Sequence, residues 1–133
     1  MNHEQASEFT RRWTNAVATG DEDVWQSLLA ADVRDISSGV AQVGSTTFRQ
    51  RTKAVRSAFD RVTVRVEDVV VDGDRIAWRW RFEGVHTGTF AGVEPTNKSV
   101  SFCGMNVQTI RDGKVVEHWT LADVAGALRQ LKS

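Results

Sequence analysis

The sequence predicts an α+β fold in which helices lie across one face of an antiparallel sheet, and three observations carry that reading. Apolar residues recur at helical spacing through roughly the first sixty positions. From Val62 onward β-branched and aromatic residues dominate instead, and Asp72-Gly73 and Asp112-Gly113 break this second half as hairpin turns. Helices first and a long run of strands after is the order of an α+β domain, and 133 residues make one such domain, 1–133. Its folded surface, roughly 7,000 Å² against about 21,000 Å² unfolded, leaves room for a real core.

Each element follows from local pattern. Phe9, Trp13, Ala16 and Val17 mark a first helix that Gly20 stops, and Asp21 can cap a second one carrying Val24, Trp25, Leu28 and Leu29. Asp32 to Ser38 reads as a short extended piece, and Phe48, Thr52, Val55 and Phe59 give a third helix over Ser45 to Phe59. Strands are expected at about 62–71, 75–84, 87–91, 98–111 and 114–121, with a last helix over Ala122 to Leu131. Pro95, the only proline, falls in the loop Gly92-Val93-Glu94-Pro95-Thr96, where a missing N–H costs nothing.

Seventeen basic residues balance seventeen acidic ones, which argues against nucleic-acid or membrane-surface binding driven by charge and for a neutral or apolar partner. Cys103 is alone, so no intrachain disulfide forms, and Met1-Asn2-His3-Glu4-Gln5 has no charged region leading into an apolar run; the expectation is a cytoplasmic protein. No apolar stretch approaches the ~18 residues of a membrane span. Along strand 75–84, Ile76, Trp78, Trp80 and Phe82 are apolar on one side while Ala77, Arg79 and Arg81 lie on the other. So few wholly polar positions predict that the second sheet face is covered by a partner subunit, a homodimer in which Arg79 and Arg81 pair with Glu83 or Glu117 across the interface. The competing reading puts these arginines in the cavity, holding an anionic substrate.

The segments Gly84-Val85-His86-Thr87-Gly88-Thr89-Phe90, Glu94-Pro95-Thr96-Asn97-Lys98 and Asp112-Gly113-Lys114-Val115-Val116-Glu117-His118-Trp119, with Asp123 and Leu128-Arg129-Gln130-Leu131, resemble the SnoaL-like polyketide cyclase family. The run Asp72-Gly73-Asp74-Arg75-Ile76-Ala77-Trp78-Arg79-Trp80 and the helix pattern fit it too, so the likeness spans nearly the whole chain. It implies the cone-shaped α+β barrel shared with nuclear transport factor 2 and ketosteroid isomerase: a curved antiparallel sheet with N-terminal helices on its concave face, enclosing a hydrophobic cavity. It also implies cofactor-free chemistry on a polycyclic or poly-β-ketone substrate. The family includes aldol cyclases, hydroxylase-like relatives and members without a known role, and fold analogy does not choose among them.

The last hairpin holds the densest set of candidates. His118 can act as acid or base near neutral pH, and Asp123 follows where the last helix begins; the family's cyclases pair an acid/base aspartate with a histidine. Each has a structural reading beside the catalytic one: His118 bonding across a dimer face, Asp123 capping the helix, Glu117 pairing with an arginine such as Arg79. With a two-residue turn at Asp112-Gly113, Asn106 lies opposite Trp119, Gln108 opposite Glu117 and Val107 opposite His118, whereas one bulged residue reverses which of these face the cavity. Five tryptophans in 133 residues exceed what packing needs, so Trp13, Trp78, Trp80 and Trp119, with Phe48, Met105 and Asn106, are candidates for a flat apolar binding pocket. His86 is a candidate for the cavity mouth or for a loop tie, and Met105 for a place where a cyclase keeps a polar group.

Other chemistries lack their residues. There is no tyrosine for the oxyanion hole of ketosteroid isomerase, no Gly-rich phosphate loop and no serine elbow, and His86 and His118 have no local metal-ligand spacing. No metal and no cofactor is expected. Three readings remain: an acid/base cyclase, a hydroxylase-like aromatic tailoring enzyme, and a non-catalytic small-ligand binding module.

Overall fold

The first helix, α1 (His3–Thr19), starts where Asn2 and Gln5 satisfy each other's backbone: Asn2 Oδ1 accepts from the Gln5 N–H, and Gln5 Oε1 from the Asn2 N–H, both at 2.8 Å. It turns Ala6, Phe9, Trp13 and Ala16 inward and ends at Gly20, whose left-handed φ of 74° lets its N–H reach the Ala16 carbonyl at 2.9 Å. The structure, a computed structural model, describes every residue from Met1 to Ser133.

The helix expected after Asp21 is shorter than its apolar spacing predicts. Asp21 Oδ1 accepts from the Asp23 N–H at 3.2 Å, but this caps a 3₁₀ turn (Glu22–Val24) followed by one α-helical turn, α2 (Trp25–Leu28). Leu29 is already extended and opens β1 (Leu29–Ser37), which turns back through β2 (Val40–Val43). Every residue of β2 is exposed, so it has no alternation from which to be read. Next come α3 (Thr46–Ala58), β3 (Phe59–Asp72), β4 (Arg75–His86), β5 (Ser99–Arg111), β6 (Lys114–Ala122) and α4 (Val124–Leu131).

The six strands form one curved, unclosed sheet in the order β2-β1-β6-β5-β4-β3. It is not wholly antiparallel. From β2 the chain crosses by α3 to the far edge at β3, and three antiparallel steps bring β6 back beside β1 in the same direction. The expected strand at 87–91 is instead part of the loop between β4 and β5, where only Phe90 and Val93 pair, and the loop is tied at its base by bonds between His86 and the backbone of Asn97 and Lys98. The first hairpin turn is Gly73-Asp74, one residue beyond the expected pair, since Asp72 and Arg75 still face each other.

The second hairpin decides the site. Asp112 and Gly113, at φ of 52° and 76°, make the two-residue turn, with Arg111 opposite Lys114 and Ile110 opposite Val115. Thr109 then pairs with Glu117, leaving Val116 without a partner. This bulge shifts the register by one, so that Gln108 faces His118, Val107 faces Trp119 and Asn106 faces Thr120. Val115 and His118 are both buried although three positions apart, which an alternating strand achieves only with one extra residue.

Arg79 and Arg81 lie on the outer face and find partners within the chain. Arg81 Nε is 3.3 Å from Glu67 and Arg79 is 3.6 Å from Asp68, both acceptors on the neighbouring strand β3. Within the chain Glu83 pairs with Arg65 at 2.8 Å, and Glu117 pairs with Arg34 at 3.7 Å where the sequence offered Arg79. Inside, α1, α2 and α3 rest on the concave face. One aromatic cluster joins Phe9, Trp13, Trp25, Phe48 and Trp78; a second joins Phe59, Phe82 and Phe102 to Ala127 and Leu131 of α4. Trp80 packs against both.

Candidate active site

Between these clusters lies a cavity of about 240 Å³. Trp13, Phe48 and Trp78 wall one side and Phe82, Phe90 and Phe102 the other. Trp78, Trp80 and Phe82 reach it because alternate residues of β4 point inward. Trp80 has Gly104 as its cross-strand partner, and any side chain at Gly104 would collide with the indole, so this glycine is what allows the ring to lie across β5.

Polar groups gather where β1, β5 and β6 adjoin. Asp35, 1% exposed, sits beside His118 in the parallel pairing of β1 with β6, and both its oxygens take bonds from Arg51 of α3, at 2.7 and 2.9 Å. The pair leaves a buried carboxylate compensated and brings Arg51 to the cavity wall. Gln108 stands between two rings: its Oε1 accepts from Trp78 Nε1–H at 3.0 Å, and its Nε2 lies 3.0 Å from His118 Nδ1. Two residues back along β5, Asn106 Oδ1 accepts from Trp80 Nε1–H at 3.1 Å and from the Thr120 hydroxyl at 2.7 Å.

His118 packs against Trp13 and Phe48 at ring separations of 5.0 and 5.4 Å. Burial pushes its pKa down from the ordinary 6.5 to about 4; Asp35 draws it up and Arg51 draws it down. The imidazole is therefore neutral at pH 7.

Of the residues singled out in the sequence, Trp13, Phe48, Trp78, Trp80, Asn106 and His118 line this cavity. The others lie elsewhere. Met105, 46% exposed, and Trp119 are on the outer sheet face, where the bulge and the strand alternation turn them. His86 is sealed at the base of the β4–β5 loop, its Nδ1 accepting from the Thr96 N–H at 3.1 Å and lying 3.0 Å from the Thr96 hydroxyl. Asp123 is exposed and caps α4, its Oδ1 accepting from the Gly126 N–H at 2.9 Å, and it borders a shallow polar hollow rather than the aromatic cavity. Asp123 and His118 are thus not brought together.

Asp35, Arg51, Gln108 and Thr120 complete the polar end and were not among the predicted site residues. Two of them carry a signal. Asp35 interrupts the inward positions Val33, Asp35 and Ser37 of β1, and Arg51 occupies the inward stripe Phe48, Arg51, Thr52 and Val55 of α3. No group of three or more His, Cys, Asp or Glu side chains is placed to hold a metal, and no helix is long and apolar enough to cross a membrane.

The fold is shared with solved proteins. TsrD from Streptomyces laurentii superposes with a TM-score of 0.87 at 23% identity, covering 98% of this chain and 97% of that one. AclR, a hydroxylase candidate from Streptomyces galilaeus, does so at 0.88 and 24% identity over 98% of this chain and 83% of that one. IdmH, a candidate polyketide cyclase from Streptomyces antibioticus, is 27% identical at a TM-score of 0.87, covering 97% of this chain and 99% of that one. No curated protein matches. Residues 7–131 match the SnoaL-like polyketide cyclase family, to which this chain belongs.

Proposed function

We propose that the chain is a cofactor-free, cyclase-like enzyme that closes a ring in a poly-β-ketone or related aromatic substrate, with His118 facing the reacting carbonyl. The observation that carries this reading is the neutral, buried His118 set at the edge of an aromatic cavity. In an aldol closure a C–H beside a carbonyl gives up its proton, the enolate carbon so formed attacks a carbonyl five bonds along the chain to close a six-membered ring, and the new alkoxide is protonated. Such a C–H is acidic once the developing oxyanion is held, so the proton can leave to water at the cavity mouth. Hydrogen bonds aimed at developing charge in a dry site are the strongest lever available here. Similarity to IdmH, at 27% identity over nearly the full length of both chains, supports the same direction.

Size restricts the substrate. At about 240 Å³ the cavity lies below the roughly 300–1,000 Å³ of common ligand sites, so a large polyketide would bury only its reacting ring. The test uses 1-phenylhexane-1,3,5-trione, whose methyl carbon closes onto the benzoyl carbonyl, with the water-loss product 5-phenylresorcinol followed by chromatography and mass spectrometry and separated from the isomeric 4-pyranone that closure through oxygen gives. The expected result is cyclisation faster than the spontaneous reaction, equal with and without oxygen, and lost in His118→Phe. No acceleration overturns the proposal, and oxygen consumption matched to product would mark the hydroxylase-like reading instead.

A further inference from the structure

The hydrogen-bond directions around the cavity are fixed by groups that can act in only one sense. An indole N–H only donates. Trp78 Nε1–H therefore requires the Gln108 carbonyl oxygen on its side, which leaves the Gln108 NH₂ against His118 Nδ1 at 3.0 Å. An NH₂ only donates, so Nδ1 accepts, and neutral His118 must carry its proton on Nε2. Protonating both ring nitrogens would set Nδ1–H against the Gln108 NH₂, and turning that amide over would set NH₂ against the Trp78 N–H. The relay thus holds His118 in one tautomer.

Asn106 is held in one orientation in the same way. Trp80 Nε1–H fixes Oδ1, which also accepts from Thr120, and leaves the Nδ2 amide group with no partner in the chain. His118 Nε2 likewise has none. The buried side-chain nitrogens that are both sealed and unpartnered are Arg49 Nε and His86 Nε2, so the free His118 and Asn106 nitrogens open onto the cavity their side chains line. They stand on adjacent strands one diagonal step apart, His118 opposite Gln108 and Asn106 opposite Thr120.

We propose that His118 Nε2–H and Asn106 Nδ2–H form a two-donor oxyanion site whose ligand is the enolate of a β-dicarbonyl, each donor taking one of its oxygens. His118 is then a hydrogen-bond donor and not a base. Gln108, Trp78, Trp80 and Thr120 are positioning residues, since each acts through the two donors. The charged groups nearest, Asp35 and Arg51, neutralise each other, so the selectivity for an anionic oxygen comes from oriented donors inside an apolar wall. This deepens the cyclase reading by naming what the polar end binds.

The probe is 2-acetyl-1-tetralone, a bicyclic β-diketone whose ring is already closed, with naphthalene as the apolar comparison. Absorbance titration reads enol against enolate, free and bound to wild-type protein. The expected result is that bound probe ionises at lower pH than free probe, and that His118→Phe and Asn106→Leu each weaken enolate binding about 10- to 100-fold while naphthalene binding holds. Retained naphthalene binding shows that a variant has folded, and the wild-type titration needs no variant at all. Ionisation unshifted or raised by wild-type protein, or equal loss of both ligands in the variants, overturns the proposal. Because this probe cannot cyclise, enolate binding without turnover of the trione sinks the cyclase reading alone.

Discussion

The two buried histidines of this chain start from the same chemistry and end with different roles. His118 and His86 both accept a hydrogen bond at Nδ1, one from Gln108 and the other from the Thr96 backbone, so both carry their proton on Nε2. What lies beyond that proton separates them. At His86 it is sealed protein, with no partner for Nε2, and the ring works as a tie between β4 and the loop that follows it. At His118 it is the aromatic cavity. A histidine becomes a site residue here by what its far nitrogen meets, and burial alone does not distinguish the two.

Substitutions sharpen this difference, and the largest effect falls on turnover. His118→Phe keeps the ring shape and removes the donor, and should lower turnover of the trione about 10²- to 10³-fold, the usual loss for one oxyanion-hole donor. Steady-state rates on folded protein check it. The next effect is on acid stability. The folded-state pKa of about 4 at His118 lies below the ordinary 6.5, so the unfolded chain takes up this proton first. The stability associated with His118 is complete above pH 6.5, falls as the pH drops toward 4, and amounts to about 3 kcal/mol over that span. Urea unfolding from pH 7.5 to 4 should show this loss in wild type and a flatter profile in His118→Phe.

His86→Ala should act in the opposite sphere. It removes the loop tie and leaves a void beside Phe59, for about 2–3 kcal/mol of lost stability in urea unfolding at pH 7.5, with turnover per folded molecule unchanged. The smallest effect belongs to Asp123. As a helix cap, Asp123→Ala should cost about 1 kcal/mol and Asp123→Asn only a few tenths, with turnover unchanged in both, measured by thermal unfolding beside the trione assay. Loss of turnover in a folded Asp123→Asn protein would restore a catalytic part for this carboxylate.

Much of the fold is legible in the sequence because it is local. The stripe Phe9, Trp13 and Ala16, the stop at Gly20 and the turn at Asp112-Gly113 each depend on neighbours a few residues away. What resists reading depends on distance or on a single residue of register. The parallel contact of β1 with β6 joins segments far apart in the chain, and β2 is exposed throughout. The bulge at Val116 moves every later residue of β6 to the other face, so His118 and Trp119 exchange inside for outside on one unpaired residue. The apolar candidates of β4 survive because strand alternation places them unaided. The polar end was obscured because Asp35–Arg51 and Gln108–His118 are assembled by the sheet and not by sequence proximity.

Whether His118 presents a donor to the cavity is read directly by ¹⁵N NMR of histidine-labelled protein at pH 7, with His118→Phe assigning the resonances. A pyrrole-type, proton-bearing Nε2 and a pyridine-type Nδ1 are predicted. A proton on Nδ1, or two nitrogens averaged between tautomers, would contradict that donor role.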